Sequence, residues 1–152
     1  MKRTEKAGKI KILVFGNALV AEDSLPLRLL PALRRRFKSL EFVEFDAAEN
    51  LENEGRDLVI LDTAKGPDRV VLLEGIDKVE TGKIHSMHDF DLALTLKIMR
   101  KMGLLDSVRI IAVPAGYQEK KALEETCALV SAIISNSPSR SAWRSSCTGR
   151  TP

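Results

Sequence analysis

Glu22 and Asp23 follow the first apolar run of this 152-residue chain, Asp46 closes the second and Asp62 closes the third. Its two histidines, His85 and His88, stand together ahead of a helical pattern further on. If the apolar runs are parallel strands, the acids collect at the carboxyl edge of one sheet, where open α/β sheets bind ligands. A loop leading into a helix after the fourth strand can bring an imidazole to the same edge. Carboxylates and a neutral imidazole suit a divalent cation or acid–base chemistry. Each residue also has a plainer use. Asp23 can cap or electrostatically favour the first helix, and Asp46 and Asp62 can form turns. Ser86 and Asp89 around His88 resemble a capping box, and His85 reads as an exposed loop residue. The dipole of that helix would keep His88 neutral, the form that binds a metal. Residue types alone leave these uses open.

Several other chemistries lack their residues. Cys127 falls on a helical stripe and Cys147 in a polar tail, so there is no CxxC pair, disulfide framework or cysteine nucleophile beside a histidine. Gly16-Asn17 lacks the spacing of a dinucleotide fingerprint, and no phosphate-loop lysine follows it. The net charge of +3 is carried unevenly, by Arg34, Arg35 and Arg36 at a helix end and by Arg140, Arg144 and Arg150 in the tail. Cations in a last helical turn answer its dipole. With aromatics at 5%, no nucleic-acid partner is expected. No apolar run approaches the ~18 residues that span a bilayer. Met1 to Lys9 is polar and basic without a small-residue cleavage site, so a cytoplasmic protein with no membrane partner is expected.

The elements that must position these residues follow from periodicity. Lys9–Phe15, Leu40–Phe45, Asp57–Leu61, Arg69–Leu73 and Val108–Val113 read as strands. The turn Lys65-Gly-Pro-Asp68 is too short for a parallel crossover, so the fourth strand should run antiparallel. Leu25, Leu27, Leu29, Leu30, Leu33 and Phe37 make one helix, with Ser24 as its cap, Pro26 in its first turn and a kink expected at Pro31. Ser86 should open a second helix through Lys101, with Leu92, Leu96 and Met99 on one face and Gly103 as its stop. A last helix, about Glu119 to Ser135, carries Leu123, Cys127, Val130 and Ile134. Alternating strands and helices predict an α/β three-layer sandwich, a five-stranded, mostly parallel sheet with one antiparallel strand and helices on both faces. One domain should fill residues 1–136. The Ser- and Arg-rich segment 137–152 has lost all periodicity and reads as a disordered tail.

The wording of three segments is more specific than their pattern. Phe15-Gly-Asn-Ala-Leu-Val-Ala-Glu-Asp23 resembles the G-N-x-L-x-x-D-D/E opening of the hydrogenase maturation proteases. Leu58-Val-Ile-Leu-Asp-Thr63 is similar to that family's hydrophobic strand ending in Asp, and Ser86-Met-His-Asp-Phe-Asp-Leu92 to its S-x-H-x-x-x-L segment. The resemblance runs from about Lys11 to Ile134, in order, and looks most like the archaeal branch. There are departures. Pro26 stands where a glycine is usual, Asp46-Ala-Ala48 replaces D-G-G, Glu22-Asp23 forms the acidic pair, and Ala112-Val-Pro114 replaces G-I-x-P.

The resemblance implies that Asp23, Asp62 and His88 contact Ni(2+), which the immature large subunit of a nickel–iron hydrogenase supplies. It implies an endopeptidase that removes the C-terminal extension of that partner. Asp46 is then the candidate general base beside Asp23, with metal-assisted and carboxylate mechanisms both open. A monomer is expected. The departures at Pro26 and Asp46-Ala-Ala48 admit an alternative, an inactive relative that binds and chaperones the large subunit.

Overall fold

The computed structural model describes residues 9–45, 51–80, 85–86 and 92–136. Its strands are β1 (Lys11–Val14), β2 (Glu41–Glu44), β3 (Asp57–Lys65), β4 (Val71–Glu74), β5 (His85–Ser86) and β6 (Ser107–Pro114). The helices are α1 (Leu25–Arg36), α2 (Ile76–Glu80), α3 (Leu92–Lys101) and α4 (Glu119–Asn136), with short 3-10 turns at Ala21–Asp23 and Leu51–Glu54. The main strands lie in the order β2-β1-β3-β6-β4. All neighbours in that order are parallel except β4, which runs antiparallel to β6. The fold is the three-layer α/β sandwich that the alternation of patterns predicts.

Burial on both faces explains why β1, β3 and β6 read as near-continuous apolar runs, whereas β2, at the edge of the sheet, alternates. Ile12, Val14, Val59, Leu61, Ile111 and Val113 point to one face, against α1 and α4. Leu13, Phe15, Leu58, Ile60, Val108 and Ile110 point to the other, against α2 and α3. In β3 seven consecutive residues are buried, from Leu58 to Ala64. Full burial of one large aliphatic side chain stabilises by about 1.5–3 kcal/mol, so these two cores dominate the fold.

Polar contacts tie the layers together at their rims. Arg28 bridges to Glu119 across α1 and α4, and Lys11 pairs with Glu54. Arg56 donates from Nε and Nη2 to the two oxygens of the Asp106 carboxylate, each at 2.9 Å, which joins the starts of β3 and β6 and holds that carboxyl below its ordinary range. Arg34 donates to the Phe42 carbonyl at 3.0 Å, fastening the end of α1 to β2. Part of the Arg34–Arg36 cluster is thus structural. Glu125 accepts the Val70 N–H at 3.0 Å and the Tyr117 hydroxyl at 2.9 Å, and so pins α4 to the chain entering β4.

Several expectations are corrected. β3 does not end before Asp62 but continues to Lys65, so Asp62 is an interior strand residue paired with Ala112. The short Lys65–Asp68 connection does reverse the chain. β4, however, pairs with β6, because β6 already occupies that side of β3 over eight residues. Ser86 does not open a helix; with His85 it forms β5, antiparallel to Ala64 and Lys65. The cause is hydrogen-bond demand. β1 pairs with β3 only as far as Leu61, and a buried strand needs partners for its remaining backbone groups. Ser24 stands at the start of α1, yet its hydroxyl donates back to the Ala21 carbonyl instead of accepting from the helix.

On α4 the buried stripe is Ala122, Thr126, Cys127, Val130 and Ile133, so Cys127 and Val130 are buried as expected while Leu123 and Ile134 give way to their neighbours Ala122 and Ile133; Ile134 is 36% exposed against 2% for Ile133. Counting only strongly apolar residues passes over Ala122 and Thr126, which complete the helical spacing. The segment 137–152 lies outside the described residues.

Thr126 is fully buried and its hydroxyl has no partner among the described residues. Such a group costs about 1–3 kcal/mol of desolvation. Thr126→Val, which keeps the shape and removes the hydroxyl, is expected to raise unfolding stability by about 1 kcal/mol in urea denaturation.

Candidate functional site

β1 leaves the sheet at a point fixed by its neighbours. Its last pair is Val14 with Leu61, and the Phe15 N–H still bonds the Leu61 carbonyl at 2.9 Å. The next residue of β3 is Asp62. The next residues of the departing chain are Gly16 and Asn17, which begin the loop that ends in Asp23. Two of the candidate acids therefore arise where two adjacent parallel strands part.

Gly16 is required there by space. A Cβ at this position would lie 2.9 Å from Leu27 Cγ and 3.0 Å from the Asp23 carbonyl oxygen, so the loop and the start of α1 fold directly onto its backbone. Asn17 then closes the loop. Its side-chain oxygen accepts the Leu19 N–H at 2.9 Å, its carbonyl accepts the Val20 N–H at 3.1 Å, and its own N–H donates to the Asp23 carbonyl at 3.1 Å. The Asp23 N–H donates to the Val20 carbonyl at 3.0 Å. The G-N pair is thus a structural device that returns the chain to its own base.

The two adjacent acids part company in this loop. Glu22 is exposed, whereas Asp23 is only 4% exposed. The inward acid is the one that the resemblance assigns to metal contact. Asp62 is 2% exposed, and one of its oxygens accepts the Thr63 N–H at 2.8 Å. By strand alternation Asp62 shares the face of Leu58 and Ile60, toward the layer that holds α3. Burying a carboxylate is costly unless it is hydrogen-bonded or neutralised, so two such residues are not there for the core alone.

Phe45 reaches the same end of the sheet. Its N–H donates to the Val14 carbonyl at 2.9 Å, and its ring meets Phe15 edge-on at 5.4 Å between centroids. Asp46, the next residue, lies outside the described residues, as does His88. β5 takes up the same edge of β3 beyond the gap left by β1, with Ser86 opposite Ala64. Sequence pattern gives no sign of β5, whose residues have little preference for a strand.

Among the described residues no three His, Cys, Asp or Glu side chains gather as a metal-holding group; Asp23 and Asp62 are the candidate ligands that fall within them. Cys127 sits in the α1–α4 core, where burial pushes its thiol above the ordinary range, the opposite of an activated nucleophile. Two surface clefts, of about 430 and 450 Å³, open elsewhere: one beside Glu74, Arg100 and Arg109, the other between Val70, Leu72 and Leu129. Neither is lined by Asp23 or Asp62. No helix among the described residues is long and apolar enough to cross a membrane. No family model matches the chain, and no curated protein or solved structure matches it.

The close approach at Gly16 is directly testable. Gly16→Ala is expected to lower stability by about 1–3 kcal/mol, the usual range for overpacking, seen as a lower urea midpoint at unchanged slope.

Proposed function

We propose that this chain is a cytoplasmic endopeptidase that recognises nickel held in the immature large subunit of a nickel–iron hydrogenase and removes the C-terminal extension of that subunit. The observation that carries the reading is the meeting of motif and place. Asp23 closes the first motif and Asp62 lies within the second, and these two buried acids lie at the parting of β1 and β3. The third motif supports it through Ser86. That residue pairs with Ala64, two positions past Asp62, and His88 follows it by two positions in the chain.

The burial of the two carboxylates is a second support, since a carboxylate kept out of water is costly unless a partner such as a cation answers its charge. In this reading nickel belongs to the substrate, and carboxylate and imidazole donors suit it. Asp23, Asp62 and His88 fix the scissile peptide by holding its neighbouring ion, which converts a bimolecular encounter into a positioned one. Water adds its oxygen to the acyl carbon, the C–N bond breaks, and the leaving amine takes a proton. Asp46 is the proposed base for the attacking water.

Asp23→Ala and His88→Ala are each expected to reduce processing of the nickel-loaded precursor by at least about 100-fold, while thermal unfolding remains cooperative. Nickel-free precursor should remain uncut. A gel mobility shift reports both results. Full processing by the double variant, or of the nickel-free substrate, defeats the proposal.

A further inference from the structure

We infer that the outer face of α3 is a docking surface for an acidic amphipathic helix of a protein partner. α3 turns Leu92, Leu96 and Met99 inward to the core. With that face used, three large apolar side chains still stand outside it: Leu94 is 51% exposed, Ile98 47% and Met102 65%. The Met102 N–H donates to the Ile98 carbonyl at 2.9 Å, so the helical spacing carries on through it. A lone exposed residue of this kind is ordinary on a protein surface. These three recur at every fourth position and form one continuous ridge along about 12 Å of helix surface.

The neighbouring row determines what fits there. Ala93, Lys97 and Lys101 each precede a ridge residue by one position, so a row ending in two cations runs alongside the apolar one. Lys97 and Lys101 are both exposed, and Lys101 forms no ion pair among the described residues. Leu92–Lys101 contains no acidic residue, and Arg100 adds a third cation. The complementary surface therefore carries apolar residues with carboxylates beside them. An α-helix supplies two such rows at the same spacing, and fourth-residue ridges of two helices interdigitate at about −50°. A ridge this short, with its charges in solvent, suits a reversible contact of micromolar strength.

Other occupants match the surface less well. A second copy of α3 would set another acid-free, cationic helix against this one. Segment 137–152 carries Arg140, Arg144 and Arg150 with no Asp or Glu. A lipid surface takes a broad apolar face, and the broad face of α3 is spent on the core, which leaves a ridge one residue wide. Asp23 and Asp62 take no part in this surface.

For the test, the full chain is titrated into a labelled synthetic helical peptide that has leucines at alternating third and fourth positions and a row of glutamates beside them. Two control peptides carry lysines for the glutamates, or the acidic composition in scrambled order. By fluorescence anisotropy, wild type is expected to bind the acidic helix at least about tenfold tighter than either control, and to lose affinity as salt is added. Ile98→Asp should weaken binding by roughly tenfold or more with Tm unchanged, because Ile98 is half exposed. Lys101→Glu alone should weaken it about threefold, and Lys97→Glu with Lys101→Glu should turn the preference toward the lysine peptide. Absence of binding, equal binding of the scrambled peptide, or a preference that survives the charge reversal overturns the surface. So does a wild-type dimer in sedimentation that Ile98→Asp disperses, or Ile98-dependent binding to phosphatidylglycerol vesicles that exceeds binding to the peptide; either result gives the face to a different occupant.

Discussion

The structure depends on one strand being covered on every side. β3 is buried on both faces from Leu58 to Ala64 and paired along both edges, by β6 over eight residues and by β1 and then β5 in turn. In such a strand every backbone group must find a partner, and every side chain must suit an apolar layer. Asp62 violates the second demand at the deepest level of the sheet. Natural sequences keep few such violations, and those that persist mark functional or strained positions. The carboxylate is also where it can matter, just past the last residue that β1 covers.

Much of this was legible before the structure. The unbroken apolar runs give β1, β3 and β6, because only strands buried on both faces tolerate such sequence, and alternation gives the edge strand β2. Leu25 to Leu33 and Leu92 to Met99 give two of the helices by their spacing. What the sequence does not show is what tertiary demand creates. His85-Ser86 has no strand preference, and becomes β5 only because Ala64 and Lys65 would otherwise lack partners on that flank. Ile76–Glu80 is a single short helical segment with too few residues to show a period. The placement of β6 between β3 and β4 is a long-range choice that a short turn cannot reveal.

The site divides in the same way. Residue types could not choose between Glu22 and Asp23, since both are acids at a helix approach; the resemblance chose Asp23, and the fold turns that residue inward and its neighbour outward. Asp62 was read as a strand terminus and is instead an interior residue, because β3 outlasts β1. The conformational work of Gly16 and Asn17 is legible in principle, as a glycine for close approach and an amide for a side-chain turn. Its purpose, to hold one end of a loop out while drawing the other in, needs the three-dimensional structure.

Among the described residues, the reversal of β4 leaves the sheet with a flank made of a short antiparallel strand, and strand flanks are the places where sheets recruit more sheet. Here Glu125 has already claimed the Val70 amide at the start of that flank, and Glu74 sets a charge at its far end. A charge on a strand flank is one of the features by which sheets limit edge-to-edge pairing, and Glu74 supplies one here.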